Sequence, residues 1–177
     1  MKDLLRRLKL LDNITTSLPI SKNEFVNRLK AITDEEKSGL MLDAFDIFSS
    51  SKNEFKGEVS LEAFKIKKRR KFFDTNSNFA VANGVFVENN GQLIIETEIN
   101  AFKNIFIGAG IFLLIFYSFI IIILFGVSNT NAGFIGLPMI LLHATFMFAI
   151  PYFILRRSVK RLKYDLEREF FFLTKTP

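Results

Sequence analysis

The sequence predicts an α+β cytosolic domain, a small antiparallel sheet with one or two helices, joined to an antiparallel transmembrane helix hairpin and a C-terminal amphipathic helix. Three observations predict it. Two uncharged apolar runs, residues 105–127 and 132–155, are separated only by residues 128–131. Residues 54–99 alternate apolar and polar side chains with the period of a strand, and residues 156–173 return to helical spacing. Each apolar run exceeds the roughly 20 residues a helix needs to cross a hydrocarbon core about 30 Å thick. In lipid every backbone amide must be satisfied within its own segment, so both runs are expected to be helical. The four-residue connection permits only an antiparallel pair.

The 177 residues carry a formal charge of +6, spread unevenly. Residues 1–103 hold 17 basic against 15 acidic side chains, and the tail from Arg156 holds 7 against 3. Lys103 precedes the first span, Arg156, Arg157, Lys160, Arg161 and Lys163 follow the second, and the connection is uncharged. By the positive-inside rule both termini are expected in the cytoplasm of a bacterial inner-membrane protein. Arg6, Arg7 and Lys9 interrupt the first eleven residues, so no cleavable signal peptide is read there. The expected division is a cytosolic α+β domain at 1–103, the hairpin at 104–155, and a cytosolic amphipathic helix and tail at 156–177 that packs on the first domain. The sequence has no Cys, which removes disulfides, thiolate metal sites and a Cys nucleophile. Trp is also absent and Phe, at 22 residues, is the main aromatic.

Along the chain, Leu4, Leu5, Leu8 and Leu11 form one stripe of a short helix. That helix either packs on the domain or lies on the membrane surface. Residues 12–18 can be a strand. Ser21 and Glu24 have the spacing of a capping box, with Ile20 and Phe25 as a hydrophobic staple, and Phe25, Val26, Leu29 and Ile32 supply a buried helical stripe. Residues 33–50 are ambiguous: Thr33 and Glu36 could cap a second helix, while 40–48 could be extended. Residues 55–59 and 61–69 read as strands. Residues 79–88 read as one strand with a kink or bulge at Gly84, carrying Phe79, Val81, Val85 and Val87 on one face. Asn89, Asn90 and Gly91 suit a three-residue hairpin turn, with Gly91 at its positive φ. In 92–99, Leu93, Ile95, Thr97 and Ile99 point inward. Short connections favour four or five strands paired antiparallel. After the spans, Val159, Leu162, Leu166, Phe170 and Leu173 mark a helix able to fold back over the sheet.

The helix at 21–32, the segments Phe-Lys-Gly-Glu-Val (55–59) and Phe-Lys-Ile-Lys-Lys-Arg-Arg (64–70), and the two-span layout resemble a set of small bacterial membrane proteins of uncharacterised biochemistry. More loosely, the layout resembles the split pleckstrin-homology-like (YcxB-like) membrane proteins, in which a transmembrane hairpin interrupts a small β domain. In that group the basic strand runs on into an Arg-Asn-Ser-Phe segment, where this chain has residues 71–79 of different sequence. The resemblance implies no activity, since fold alone does not fix function.

Four groups of residues are candidates for function. Lys65, Lys67, Lys68, Arg69, Arg70 and Lys71 form the densest charge cluster. They read as a solvated, aggregation-resistant edge, as a surface for anionic headgroups, or less well as a nucleic-acid contact. Arg156, Arg157, Lys160 and Arg161 are placed for the same headgroup or partner contact. Gly108, Gly110, Gly126, Gly133 and Gly136 can let the two spans approach closely. His143, the sole histidine, lies at the depth of Tyr117 and Ser118, where it reads as a hydrogen-bonded packing residue or as a functional intramembrane group. Hydrolase, metalloprotease, Walker and dinucleotide motifs are all missing. The expectation is a non-enzymatic protein without metal or cofactor. Membrane lipids, a protein partner or a second copy are its expected partners, and nucleic acid is not. The rival readings are an oligomerising effector or immunity protein acting through the hairpin, and a membrane-embedded lipid-modifying enzyme.

Overall fold

A computed structural model describes residues 1–35, 53–69, 79–89, 91–102, 104–127 and 132–175. The chain divides into two compact units, Met1–Phe102 with Leu155–Pro177, and Lys103–Ile154. The described elements are α1 (Lys2–Arg7), β1 (Leu11–Leu18), α2 (Lys22–Ala31), β2 (Thr33–Glu35), β3 (Phe55–Val59), β4 (Ala63–Lys68), β5 (Val81–Asn89), β6 (Gln92–Asn100), α3 (Asn104–Val127) and α4 (Ala132–Lys175).

In the first unit the described strands form one six-stranded sheet, ordered β1-β6-β5-β4-β3-β2. All pairs are antiparallel except β2 with β3. The sequence predicts four or five strands, all antiparallel. The difference is β2, a Thr-Asp-Glu triplet with no apolar alternation to announce it. Thr33 does not cap a helix; its hydroxyl donates to the Leu29 carbonyl at the end of α2 (2.8 Å). The possible strand at 40–48 lies outside the described residues.

Helix α2 starts where its cap predicts. The Ser21 hydroxyl accepts from the Glu24 amide, and Phe25, Val26 and Leu29 are fully buried. The other half of the capping box is unmade, because the Glu24 carboxylate pairs with Arg28 one turn on. The core lies on one sheet face. Leu93, Ile95, Thr97 and Ile99 of β6 point into it as their alternation predicts. Strand β5 differs from expectation twice. Its inward residues are Ala82, Gly84 and Phe86, while Val85 and Val87 are 46% exposed on the opposite face. Gly84 carries no bulge, since β5 stays in register with both β4 and β6. Glycine is needed there because the Phe64 ring occupies the space a Cβ would take, 2.2 Å away. Pairing of β5 with β6 reaches Asn89 and Gln92, leaving a two-residue turn rather than three, with Gly91 at φ +75°.

The sheet face is closed by α2 and by the last part of α4. Leu155, Val159, Leu162, Leu166, Phe170 and Leu173 are all buried. Phe170 meets Phe25 and Phe64 edge-on, with ring centroids 5.3 and 5.9 Å apart, and Phe86 completes the aromatic cluster. The sequence expects a separate helix from Arg156. The structure has one helix of 44 residues. Charges change the solvent a helix prefers, but Arg, Lys, Leu and Glu all favour helical backbone, so nothing at the charge boundary stops it.

The second unit holds α3 and the first part of α4, both long and apolar enough to cross a membrane. The apolar window of α3 is 6% buried and that of α4 has no buried residue, unlike the core helix of a soluble domain. Phe112, Ile115, Ile122 and Met139 are each about two-thirds exposed. Tyr117 is the exception: it is buried, and its hydroxyl lies 2.7 Å from His143 Nδ1.

Candidate functional site

The strand register sets which charges share each end of the first unit's sheet, and Asp12 of β1 and Asp34 of β2 lie at the same end as the basic residues. Leu11, Asn100, Val81 and Lys67 lie side by side across β1, β6, β5 and β4, followed by Lys56 of β3. This end of the sheet therefore carries the end of the basic strand. It is also where β6 leads on through Ala101 and Phe102. Ser158 marks the return of α4 at the same end. Its hydroxyl accepts from the Phe79 and Ala80 amides, both at 2.9 Å, just before β5. Leu155 is one turn earlier. At the other end of the sheet the register places Glu88 of β5, and Glu62 and Glu96 lie in that direction from the middle.

The basic strand is split between two faces. Lys65 is exposed on the open face, flanked by Asn83 and Glu58, and Lys67 lies half-buried on that face beside Val81. Lys68 belongs to the covered face and donates to Asp165 of α4 at 2.6 Å. Arg69 is buried and pairs with Asp34 of β2, which also accepts from Asn53. Two of the cluster's cations thus tie the domain together, and Lys65 and Lys67 face outward. Arg70 and Lys71 lie outside the described residues.

Their acidic partners escape sequence reading because they are distant in sequence. Asp165 is 97 residues from Lys68, and Asp12, which accepts from Lys163 at 2.9 Å, is 151 residues from it. A sequence signal did exist: Asp12 and Asp165 each interrupt an otherwise inward-facing apolar series. Arg28 of α2 adds a further link, donating to the Leu173 carbonyl at 2.6 Å and so satisfying one of the orphan carbonyls of α4. Arg168 donates to Glu169 at 2.9 Å and lies 3.6 Å from Glu54. The Glu169 hydrogen bond raises the Arg168 pKa above its ordinary value, against the pull of desolvation. The guanidinium stays charged at every accessible pH.

Four cations of α4 remain available. Arg156 and Arg161 are half-buried, Arg157 and Lys160 exposed, and none pairs with an acid among the described residues. They follow the apolar run of the helix directly. At about 1.5 Å per residue, all four lie within about 9 Å of Leu155 along the axis.

In the second unit, His143 and Tyr117 meet as their depths predict. Ser118 does not join them, because its hydroxyl donates to the Leu114 carbonyl of its own helix at 2.8 Å. Gly136 is a close-packing site, where an added Cβ would stand 3.0 Å from the Leu124 side chain. Gly108, Gly110 and Gly126 have no such neighbour within 4 Å. The surroundings of Gly133 lie outside what is described. Among the described residues no three His, Asp or Glu side chains gather as metal ligands would.

The chain matches no protein-family model, and neither curated proteins nor solved structures yield a match.

Proposed function

We propose that this is a non-catalytic, two-span protein of a bacterial inner membrane. Helix α3 and the apolar part of α4 form an antiparallel hairpin in the bilayer, and both termini are cytoplasmic. The α+β unit is held against the cytoplasmic leaflet, where its basic end binds anionic headgroups and presents the sheet to a protein partner. One observation carries this reading: Arg156, Arg157, Lys160 and Arg161, all without acidic partners among the described residues, follow an apolar helical stretch in which no described side chain is buried. Exposed apolar area on that scale is stable in hydrocarbon and not in water. Cations beside it gain about 1 kcal/mol each from an anionic surface. The Tyr117–His143 and Leu124–Gly136 contacts support the antiparallel sense, since one index rises as the other falls. An amphipathic role for the last part of α4 follows from the same helix. Its inner side chains close the sheet while its outer cations face headgroups.

The absence of Cys makes the topology directly testable. Single-cysteine variants K2C, T130C and K175C are expressed in cells and treated with a membrane-impermeant maleimide. T130C is expected to label in intact cells, and K2C and K175C only after lysis. Labelling of K2C and K175C from opposite sides overturns the reading. For the headgroup contact, the full chain is mixed with phosphatidylglycerol and phosphatidylcholine in detergent and examined by native mass spectrometry. The wild type is expected to retain phosphatidylglycerol several-fold better, and the R156Q/R157Q/K160Q/R161Q variant to lose that preference. Equal retention by both proteins removes the headgroup assignment.

A further inference from the structure

We infer that α1 is a lipid-inserting anchor, whose exposed edge of Met1, Leu4 and Leu8 enters the headgroup region of an anionic leaflet. The inference rests on the reading that α3 and α4 lie in a bilayer. Of the leucine stripe in the first eleven residues, Leu5 of α1 is buried, as is Leu11, the first residue of β1. Leu4 is 59% exposed, Leu8 38% and Met1 80%. A six-residue helix is marginal alone in water, and covering these apolar side chains would add to its stability.

Placement points to the leaflet as the cover. Lys9 takes the left-handed conformation, φ 57°, and turns the chain from α1 into β1. Leu10 then accepts from the Ala101 amide at 3.1 Å. Ala101 precedes the first residue of α3, Asn104, by three positions. Three residues of chain span at most about 11 Å. The C-terminal end of α1 is therefore tied beside the point where the chain leaves the sheet for α3.

Charge complements the placement. Arg7 and Lys9 are exposed and pair with no acid among the described residues, whereas Lys2 is engaged with Glu98 and Arg6 with Asp3. Leucines flanked by free cations match the interior boundary of an anionic leaflet, with the apolar edge below the phosphates and the cations among them.

The lack of Trp provides the test. Single-tryptophan variants L4W and L8W of the full chain are reconstituted into vesicles of phosphatidylglycerol and phosphatidylcholine, with and without brominated acyl chains. F112W, on the exposed surface of α3, and V87W, on the open sheet face, are made alongside. L4W and L8W are expected to lose at least half their emission in brominated vesicles, as F112W does, while V87W loses none. Pure phosphatidylcholine should reduce the L4W quenching several-fold. Quenching of F112W without quenching of L4W and L8W overturns the anchor and leaves the spans standing. A blue-shifted but unquenched L4W means that protein covers the edge, which also overturns it. Equal L4W quenching in both lipids overturns the anionic preference. An unquenched F112W removes the bilayer reading beneath all of it.

Discussion

Lys68 of β4 donates to Asp165 of α4 across 2.6 Å, with side-chain exposures of 24% and 12%. This pair joins the middle of the chain to its last helix over 97 residues. A charge-assisted hydrogen bond of this kind contributes more than a neutral one, and removing Asp165 leaves part-buried Lys68 with only the more distant Glu54, 3.9 Å away. Lys68→Met and Asp165→Asn are each expected to cost about 2 kcal/mol. The double variant should cost less than the sum of the two. Thermal unfolding of the detergent-solubilised chain measures both, and strict additivity would mean that the pair contributes nothing of its own.

The same helix supplies the core. Phe170, 1% exposed, packs edge-on to Phe25 and Phe64. Phe170→Ala is expected to cost about 3–5 kcal/mol through lost burial and the cavity left behind. Phe171→Ala, one residue on and 52% exposed, is expected to change stability by less than about 0.5 kcal/mol. Similar losses for both variants, read from the unfolding midpoints, would place α4 in a different rotation on the sheet.

These two positions show how legible the fold was. The inward series of β6 and the buried stripe of α2 were readable because each lies in one segment with one period. The apolar stripe on α4 was readable for the same reason, although its fusion with the second apolar run was not, because helix propensity does not register a change of solvent. Strand β2 was invisible, since three polar residues carry no period. In β5 the two valines, Val85 and Val87, took the outer face, and the small Ala82 and Gly84 took the inner one beside Phe86. Volume decided there, because Phe64 and Phe86 already fill the space. The basic cluster was visible as a count, but the ion pairs of Lys68 and Arg69 depend on Asp165 and Asp34, which no local pattern links to it.

Volume also governs Gly84. A methyl group at that position would stand 2.2 Å from the Phe64 ring, which is held in the aromatic cluster by Phe86 and Phe170. Gly84→Ala is expected to cost about 1–3 kcal/mol through overpacking. Combining it with Phe64→Leu should recover part of that loss, because the smaller side chain vacates the space. The measurement is the midpoint of denaturant unfolding for the two single variants and the double. Should the double variant be as unstable as the sum of the singles, crowding against Phe64 is not what keeps residue 84 a glycine.

Within the apolar helices the one polar contact between α3 and α4 among the described residues is Tyr117 with His143. A bond of this kind between membrane helices contributes about 0.6 kcal/mol on average, because the separated helices also find partners for their polar groups. Tyr117→Phe keeps the ring that packs against His143 and removes only the hydroxyl. It is expected to lower the stability of the helix pair by about that amount, and His143→Leu should do no more than this through the bond itself. Once either change is made, the other should have no further effect on the hydrogen-bond contribution. A double-mutant cycle on the full chain, read by its unfolding midpoint in mild detergent, gives the coupling directly. A coupling above about 2 kcal/mol would exceed what membrane hydrogen bonds have been found to supply, and would mark the pair as a strained or functional centre.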